Sequence, residues 1–352
     1  MASLRRIKLL VQKGFYDNAL DEAKEIEDKL ERIKALGLVA EGFSSAGLDE
    51  EAFAVIKKMA KLVKKLRDPV DKGTALALIY SLLYKLGYVD DAFIFLDEAF
   101  TVAEKIGDPL RTAHAVANIA YYLAIVGEGQ RAKEAFDVAF DLIINSGHSY
   151  HEKTDSLITL AELIERAADG TPSPHAIPLY QMAFDIFDRL RIAGKPGIIE
   201  KKIRLAETLY VAGLPHIRKL LEEGKFGQAL REVKGLGGEE SEVGKLEIAL
   251  WMKFLGVPDF EEFLPEFSEV GQFSKYRERA AIILTKLGFL EKALEVAEKL
   301  EDKVRDKIMK EIAIEYAKKG DREKAYEVMY RIVDPALRME VMEEIGGSSE
   351  SR

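Results

Sequence analysis

Apolar positions recur every three to four residues along almost the whole chain, in stretches long enough for helices and too long for strands. The clearest stretch runs from Asp68 to Gly127: DPVDKGTALALIYSLLYKLG, then YVDDAFIFLDEAFTVAEKIG, then DPLRTAHAVANIAYYLAIVG. Helical patterns alternate there, broken by glycine and by Asp-Pro, and the third segment restates the first 40 residues later. Glycine suits the position just past a helix C-terminus, where the left-handed turn penalises any side chain. Asp68-Pro69 and Asp108-Pro109 predict helix starts: aspartate accepts from free N–H groups, and proline gives up a donor that had no partner.

Glycine followed by alanine five residues on marks seven places: Gly14/Ala19, Gly47/Ala52, Gly87/Ala92, Gly127/Ala132, Gly224/Ala229, Gly288/Ala293 and Gly320/Ala325. Gly47, Gly87 and Gly127 are spaced by 40, whereas Gly224, Gly256, Gly288 and Gly320 are spaced by 32, with Glu261 where Gly256 should have its alanine. A helical hairpin leaves one apolar face that only a neighbouring hairpin can cover, so such units come in arrays. The predicted helices of residues 128–213 are 128–145, 150–167, 175–193 and 197–212, and the pattern resets at Gly213-Leu214-Pro215. The expected organisation is therefore an N-terminal array over 1–213 with repeats of about 40 residues, a C-terminal array of 32-residue repeats over 214–345, and a disordered tail over 346–352. Residues 235–244, GLGGEESEVG, read as the weakest point of the second array.

Ala120-Leu123-Gly127-Ala132 and Ala313-Tyr316-Gly320-Ala325 resemble the tetratricopeptide-like helical repeats, with small, large, glycine and alanine positions in that family's register. The repeat length departs from the common ~34 residues, and the tryptophan that often opens the motif is absent from every repeat, which makes the resemblance that of a distant member. The resemblance implies an all-α, right-handed α-α superhelix, a TPR-like solenoid of about twenty antiparallel helices. It also implies a non-catalytic scaffold or adaptor that binds a protein or peptide partner along its concave face.

On that reading one stripe of the first helices lines the concave surface, carrying Tyr84, His114, Tyr121 and Tyr210 with Ser81 and Ala117 between them. These tyrosines either meet a partner or pack between repeats. In the second array the same count brings Lys253, Lys275, Lys286, Lys307, Lys310 and Lys318 onto or beside the stripe. They form either a basic trough for an acidic peptide or carboxylate, or cations that favour helix C-termini, as for Lys253, Lys286 and Lys318 in last turns. The family's carboxylate clamp is not matched, because Ile282 and Ile314 stand where it needs asparagine.

Charge and composition narrow the rest. A net charge of −9 disfavours broad contact with a phosphate backbone, which leaves an RNA-binding repeat protein as the alternative reading. Absence of cysteine removes disulfides and thiolate chemistry. No run approaches a membrane span, so a cytoplasmic location is expected, with self-association open. Abundant lysine and glutamate suggest a thermophile.

Gly127-Glu-Gly129-Gln-Arg-Ala132 matches a dinucleotide fingerprint in letters, but a helix precedes it where the chemistry requires a strand. His148 and His151 share metal-ligand spacing at an exposed helix start. GxSxG, HExxH and P-loop spacings are missing. No catalytic, cofactor or metal residues are assigned, and a cryptic enzyme is the least favoured reading. Phe254, Phe260, Phe263 and Phe267, set among acids, read either as a repeat core or as a docking site for a basic segment.

Overall fold

A computed structural model describes residues 3–265 and 273–347, all of them helix, turn or loop. Nineteen α-helices and one 3-10 turn occur among the described residues. The chain divides into two compact units, 1–203 and 204–352.

The first unit holds five hairpins: α1 (Leu4–Gln12) with α2 (Tyr16–Lys24), α3 (Lys29–Ser45) with α4 (Asp49–Val63), α5 (Pro69–Lys85) with α6 (Val89–Glu104), α7 (Pro109–Ile125) with α8 (Gly129–Ile144), and α9 (Tyr150–Asp169) with α10 (Ala176–Arg189). α11 (Lys195–Thr208) follows and runs across the division. The second unit continues with α12 (Pro215–Glu222), α13 (Phe226–Lys234), α14 (Gly238–Phe254), the 3-10 turn Phe260–Phe263, α15 (Arg277–Leu287), α16 (Leu290–Ala297), α17 (Asp302–Lys318), α18 (Arg322–Arg331) and α19 (Pro335–Gly347).

Wherever the glycine–alanine mark occurs it is the joint between two successive helices. Gly87 takes φ 84°, and the next N–H, from Tyr88, reaches back to Leu83 O at 3.0 Å, closing the turn that ends α5. The same bond follows each of the other marker glycines, for example Glu128 N to Leu123 O and Asp321 N to Tyr316 O. Every alanine five residues on is fully buried, Ala19, Ala52, Ala92, Ala132, Ala229, Ala293 and Ala325 alike. Asp68 and Asp108 cap α5 and α7 as predicted, each with proline in the first turn.

First and second helices differ in burial for a reason visible in their residues. α5 is buried without interruption from Gly73 to Leu83 because α3, α4, α6 and α7 all pack on it. α6 buries only Ala92, Leu96, Ala99 and Ala103, a single stripe at helical spacing. Between hairpins, arginine holds the linker: Arg32 Nε donates to Ile26 O at 2.6 Å, and Arg338 Nε to Ile332 O at 3.1 Å.

Three readings of the second unit change. Residues 235–244 are mostly helix: α14 begins at Gly238, and Gly244 sits where an added Cβ would lie 2.5 Å from Val233 Cγ1, so helix and neighbour touch only because glycine stands there. Gly256 leads into the 3-10 turn instead of a second helix, and Phe260 and Phe263 pack against the core, whereas Phe267 lies outside the described residues. α19 continues through Gly347, and the remainder of the expected tail is also outside them.

Candidate functional site

The residues of the predicted tyrosine stripe have different surroundings. Ser81 and Ala117 are buried. Tyr84 is half-buried: its hydroxyl donates to Glu128 Oε1 at 2.8 Å and its ring lies against Tyr80 and Phe93, so it ties α5 to the turn before α8. That hydrogen bond to Glu128, with burial second, pushes the Tyr84 phenol above its ordinary value. Tyr121 packs edge-on against Tyr122, with ring centroids 5.2 Å apart, and burial raises its pKa too. His114 stays exposed at its outer edge and lines a cavity of about 330 Å³ between α7 and α9, together with Ala117, Arg111 and Asp155. The cavity walls lower its imidazole pKa, against the pull of Asp71 and Asp68.

Tyr210 is misplaced in the sequence reading. α11 stops at Thr208, and Tyr210 lies past it in an irregular segment, with its ring exposed. The cause is Glu247, wholly buried in α14. Its Oε1 accepts from Tyr210 N at 2.8 Å and from Arg279 Nε at 3.0 Å, and its Oε2 accepts from Val211 N and Ala212 N at 2.9 and 2.8 Å. Arg279 Nη2 then donates to Thr208 O at 2.6 Å. Burial pushes the Glu247 carboxyl up from its ordinary value, opposed by Arg279 and the backbone donors. One feature of the sequence could have warned of this: a single acid inside the apolar run Leu246–Trp251. Two other acids of the second unit act alike. Glu239 collects the N–H groups of Ser274 and Lys275, and Asp306 those of Val333 and Asp334.

The lysines of the second unit divide by role. Lys253 Nζ donates to Lys286 O at 3.0 Å and Leu287 O at 2.8 Å, ending α15 from a neighbouring helix. Burial lowers its pKa, with Lys319 nearby adding to the effect. Lys318 pairs with Glu315 at 2.8 Å on its own helix, Lys275 with Glu240 at 2.9 Å, and Lys310 with Glu340. Lys307 is exposed. Lys286 is also exposed and, among the described residues, has no ion-pair partner. It lines a cleft of about 290 Å³ with Arg204, Arg279 and Glu207 around Leu250, Phe254 and Ile282. With Arg279 matched to Glu247, the charge facing a ligand comes from Arg204 and Lys286 against Glu207.

The other sequence candidates resolve simply. Gly127–Ala132 is a helix-to-helix turn. His148 Nε2 lies 3.1 Å from Asp108 Oδ2, and the His151 side chain is 85% exposed. Among the described residues no group of three or more His, Asp or Glu could hold a metal ion, and no helix is long and apolar enough to cross a membrane.

No family model and no curated protein sequence matches the chain. Among solved structures, the crystal structure of Ton1535 from Thermococcus onnurineus NA1 matches with 34% sequence identity and a TM-score of 0.86, over 98% of this chain and 99% of that one. The chain belongs to the Ton1535 family. Similarity at that level over the full length carries the all-α helical-repeat architecture as a family property, while the tetratricopeptide resemblance is matched at the level of paired helices. A thermophile relative accords with the lysine- and glutamate-rich composition.

Proposed function

We propose that this member of the Ton1535 family is a non-catalytic scaffold whose tetratricopeptide-type hairpins bind a protein or peptide partner. The partner presents an acidic side chain or a terminal carboxylate to the cleft of the second unit. The observation that carries this reading is the exposed Lys286, without an ion-pair partner among the described residues, set with Arg204 over an apolar floor whose third wall, Arg279, is fixed by Glu247 and Thr208 O. An apolar body with a carboxylate tip fits such a floor and rim, and two exposed cations make the contact salt-sensitive.

Panning a random peptide display against the full chain tests it. The expected outcome is enrichment of acidic peptides that lose binding to Lys286→Glu and weaken as salt rises. Peptides without acidic bias, or equal binding to Lys286→Glu, would overturn the reading.

A further inference from the structure

A different surface, in the first unit, is shaped for a partner of the opposite charge. α6 and α8 each pack on α7 and scarcely on one another, and a groove of about 640 Å³ runs between them. Its floor is Val116 and Leu123 of α7; its walls are Phe93 and Phe100 of α6 and Val138 and Leu142 of α8. Phe93 and Phe100 are only half-buried, and Val138 is 51% exposed, so the apolar lining reaches solvent. The rim carries Asp97 and Glu104 on α6 and Glu134 on α8. Among the described residues Asp97 and Glu104 have no hydrogen-bond or ion-pair partner. The one rim cation, Arg131, lies 5.1 Å over the Phe93 ring and 3.7 Å from Glu128.

We propose that this groove docks an amphipathic helix with a leucine-like apolar ridge and lysine or arginine on both flanks. The apolar character selects a ridge of side chains; Asp97 and Glu104 along α6 select the charge of one flank, and Glu134 across the groove, which accepts from Gln130 at 2.9 Å, selects that of the other. Secondary structure follows from what the groove lacks. Its lining is helix side chains, which offer no row of backbone donors and acceptors. An extended peptide would bury unpaired N–H and C=O groups there, whereas a helix satisfies its own. From Phe93 to Glu104 the wall extends about 16 Å, or three helical turns, which suits apolar residues at i, i+4, i+7 and i+11 of the guest.

The test uses the full chain and two synthetic peptides of about 18 residues, both with leucine at that spacing, one flanked by lysine and its twin by glutamate. Fluorescence anisotropy should show the lysine peptide binding and the glutamate twin not. The Asp97→Lys/Glu104→Lys variant should weaken the lysine peptide by about tenfold at low salt and admit the twin. Val138→Glu, at a half-exposed position, should abolish binding with little change in the melting temperature. Equal binding of both peptides, no binding of either, or indifference to Val138→Glu would overturn the proposal. Sedimentation of the free chain gives one more decisive outcome: a dimer that Val138→Glu dissociates would make a second copy the occupant and overturn it as well.

Discussion

The carboxylate of Glu247 accepts the backbone N–H of Ala212 at 2.8 Å, and with Tyr210 and Val211 this contact draws the chain out of helix after Thr208. Truncating Glu247 to alanine leaves three N–H groups and Arg279 Nε without their acceptor at a largely buried site. Breaking one member of such a buried charged pair costs roughly 3–5 kcal/mol. In urea, Glu247→Ala should lower the midpoint for the second unit and leave that of the first in place. A single transition shifted as a whole would mean that the two units do not unfold separately.

Residues 204–213 belong with the second unit's core: Leu205, Leu209 and Ala212 cluster with Ile217, Leu221 and Trp251. A fragment over 195–352 is expected to melt cooperatively by circular dichroism, whereas 214–352, cut at the reset in the sequence pattern, should lose cooperativity. Equal melting curves for both fragments would place those residues outside the core.

Acid and base should act on the first unit through one partly buried cluster. Lys202 Nζ donates to Glu165 Oε1 at 2.9 Å and Asp169 Oδ1 at 2.7 Å, Lys195 Nζ to Glu165 Oε2 at 2.9 Å, and Tyr180 Oη to Asp169 Oδ1 at 2.8 Å. Burial alone would raise the Glu165 carboxyl, but the two ammonium groups overcome it and hold the pKa below the usual 4.5. Burial likewise opposes the Lys202 charge, and Asp169 and Glu165 override it, raising its pKa above 10.5. A depressed carboxyl pKa stabilises the fold above the unfolded value, and the gain is lost as pH falls through the folded one. A raised lysine pKa stabilises below the unfolded value, and that gain is lost as pH rises through the folded one. The first unit should therefore hold its stability between those limits and lose it on either side. Lys202→Met should flatten the alkaline limb and shrink the acid limb, as read from melting temperature against pH.

Two glycines should respond oppositely to alanine. Gly87 has φ 84°, so Gly87→Ala should cost about 1–2 kcal/mol through the left-handed conformation. Gly147 has open space around its Cα and no positive φ, so Gly147→Ala should be neutral or stabilising by a few tenths to about 1 kcal/mol. Thermal melts of both variants check the contrast.

Lysines that share one sequence pattern should also separate. Lys253→Met removes the donor that closes α15 and should lower stability by about 1 kcal/mol. Lys286→Glu, at an exposed side chain, should leave the melting temperature nearly unchanged while altering peptide binding.

What could be read from the sequence was whatever is decided locally. Asp68-Pro69 and Gly87 fix a cap and a turn within one hairpin, both as predicted, and the alanine of the mark, Ala92, is buried beside them. The end of α11 could not be read, because the carboxylate that sets it lies 35 residues away from Ala212 in the chain. The neighbours of the tyrosines and lysines could not be read for a related reason. Counting from a glycine gives the side of a helix, but not whether Tyr84 meets Glu128 or whether Lys253 meets the end of α15. Nor does it show that α6 and α8 stand apart, which depends on how two separate hairpins sit on α7.

At each marker glycine the backbone bond that closes the turn comes from the hairpin's own helix. A hairpin is thus a cassette that carries its own punctuation, and a gene encoding such a chain can lengthen or shorten by whole cassettes without rewriting any joint. Slippage by one residue has no such licence. An insertion between Gly87 and Ala92 would rotate the rest of α6 by about 100° and turn its alanine stripe away from α5. Inherited length differences in this family should therefore accumulate as complete hairpins or in inter-hairpin linkers, and be scarce within those five-residue intervals.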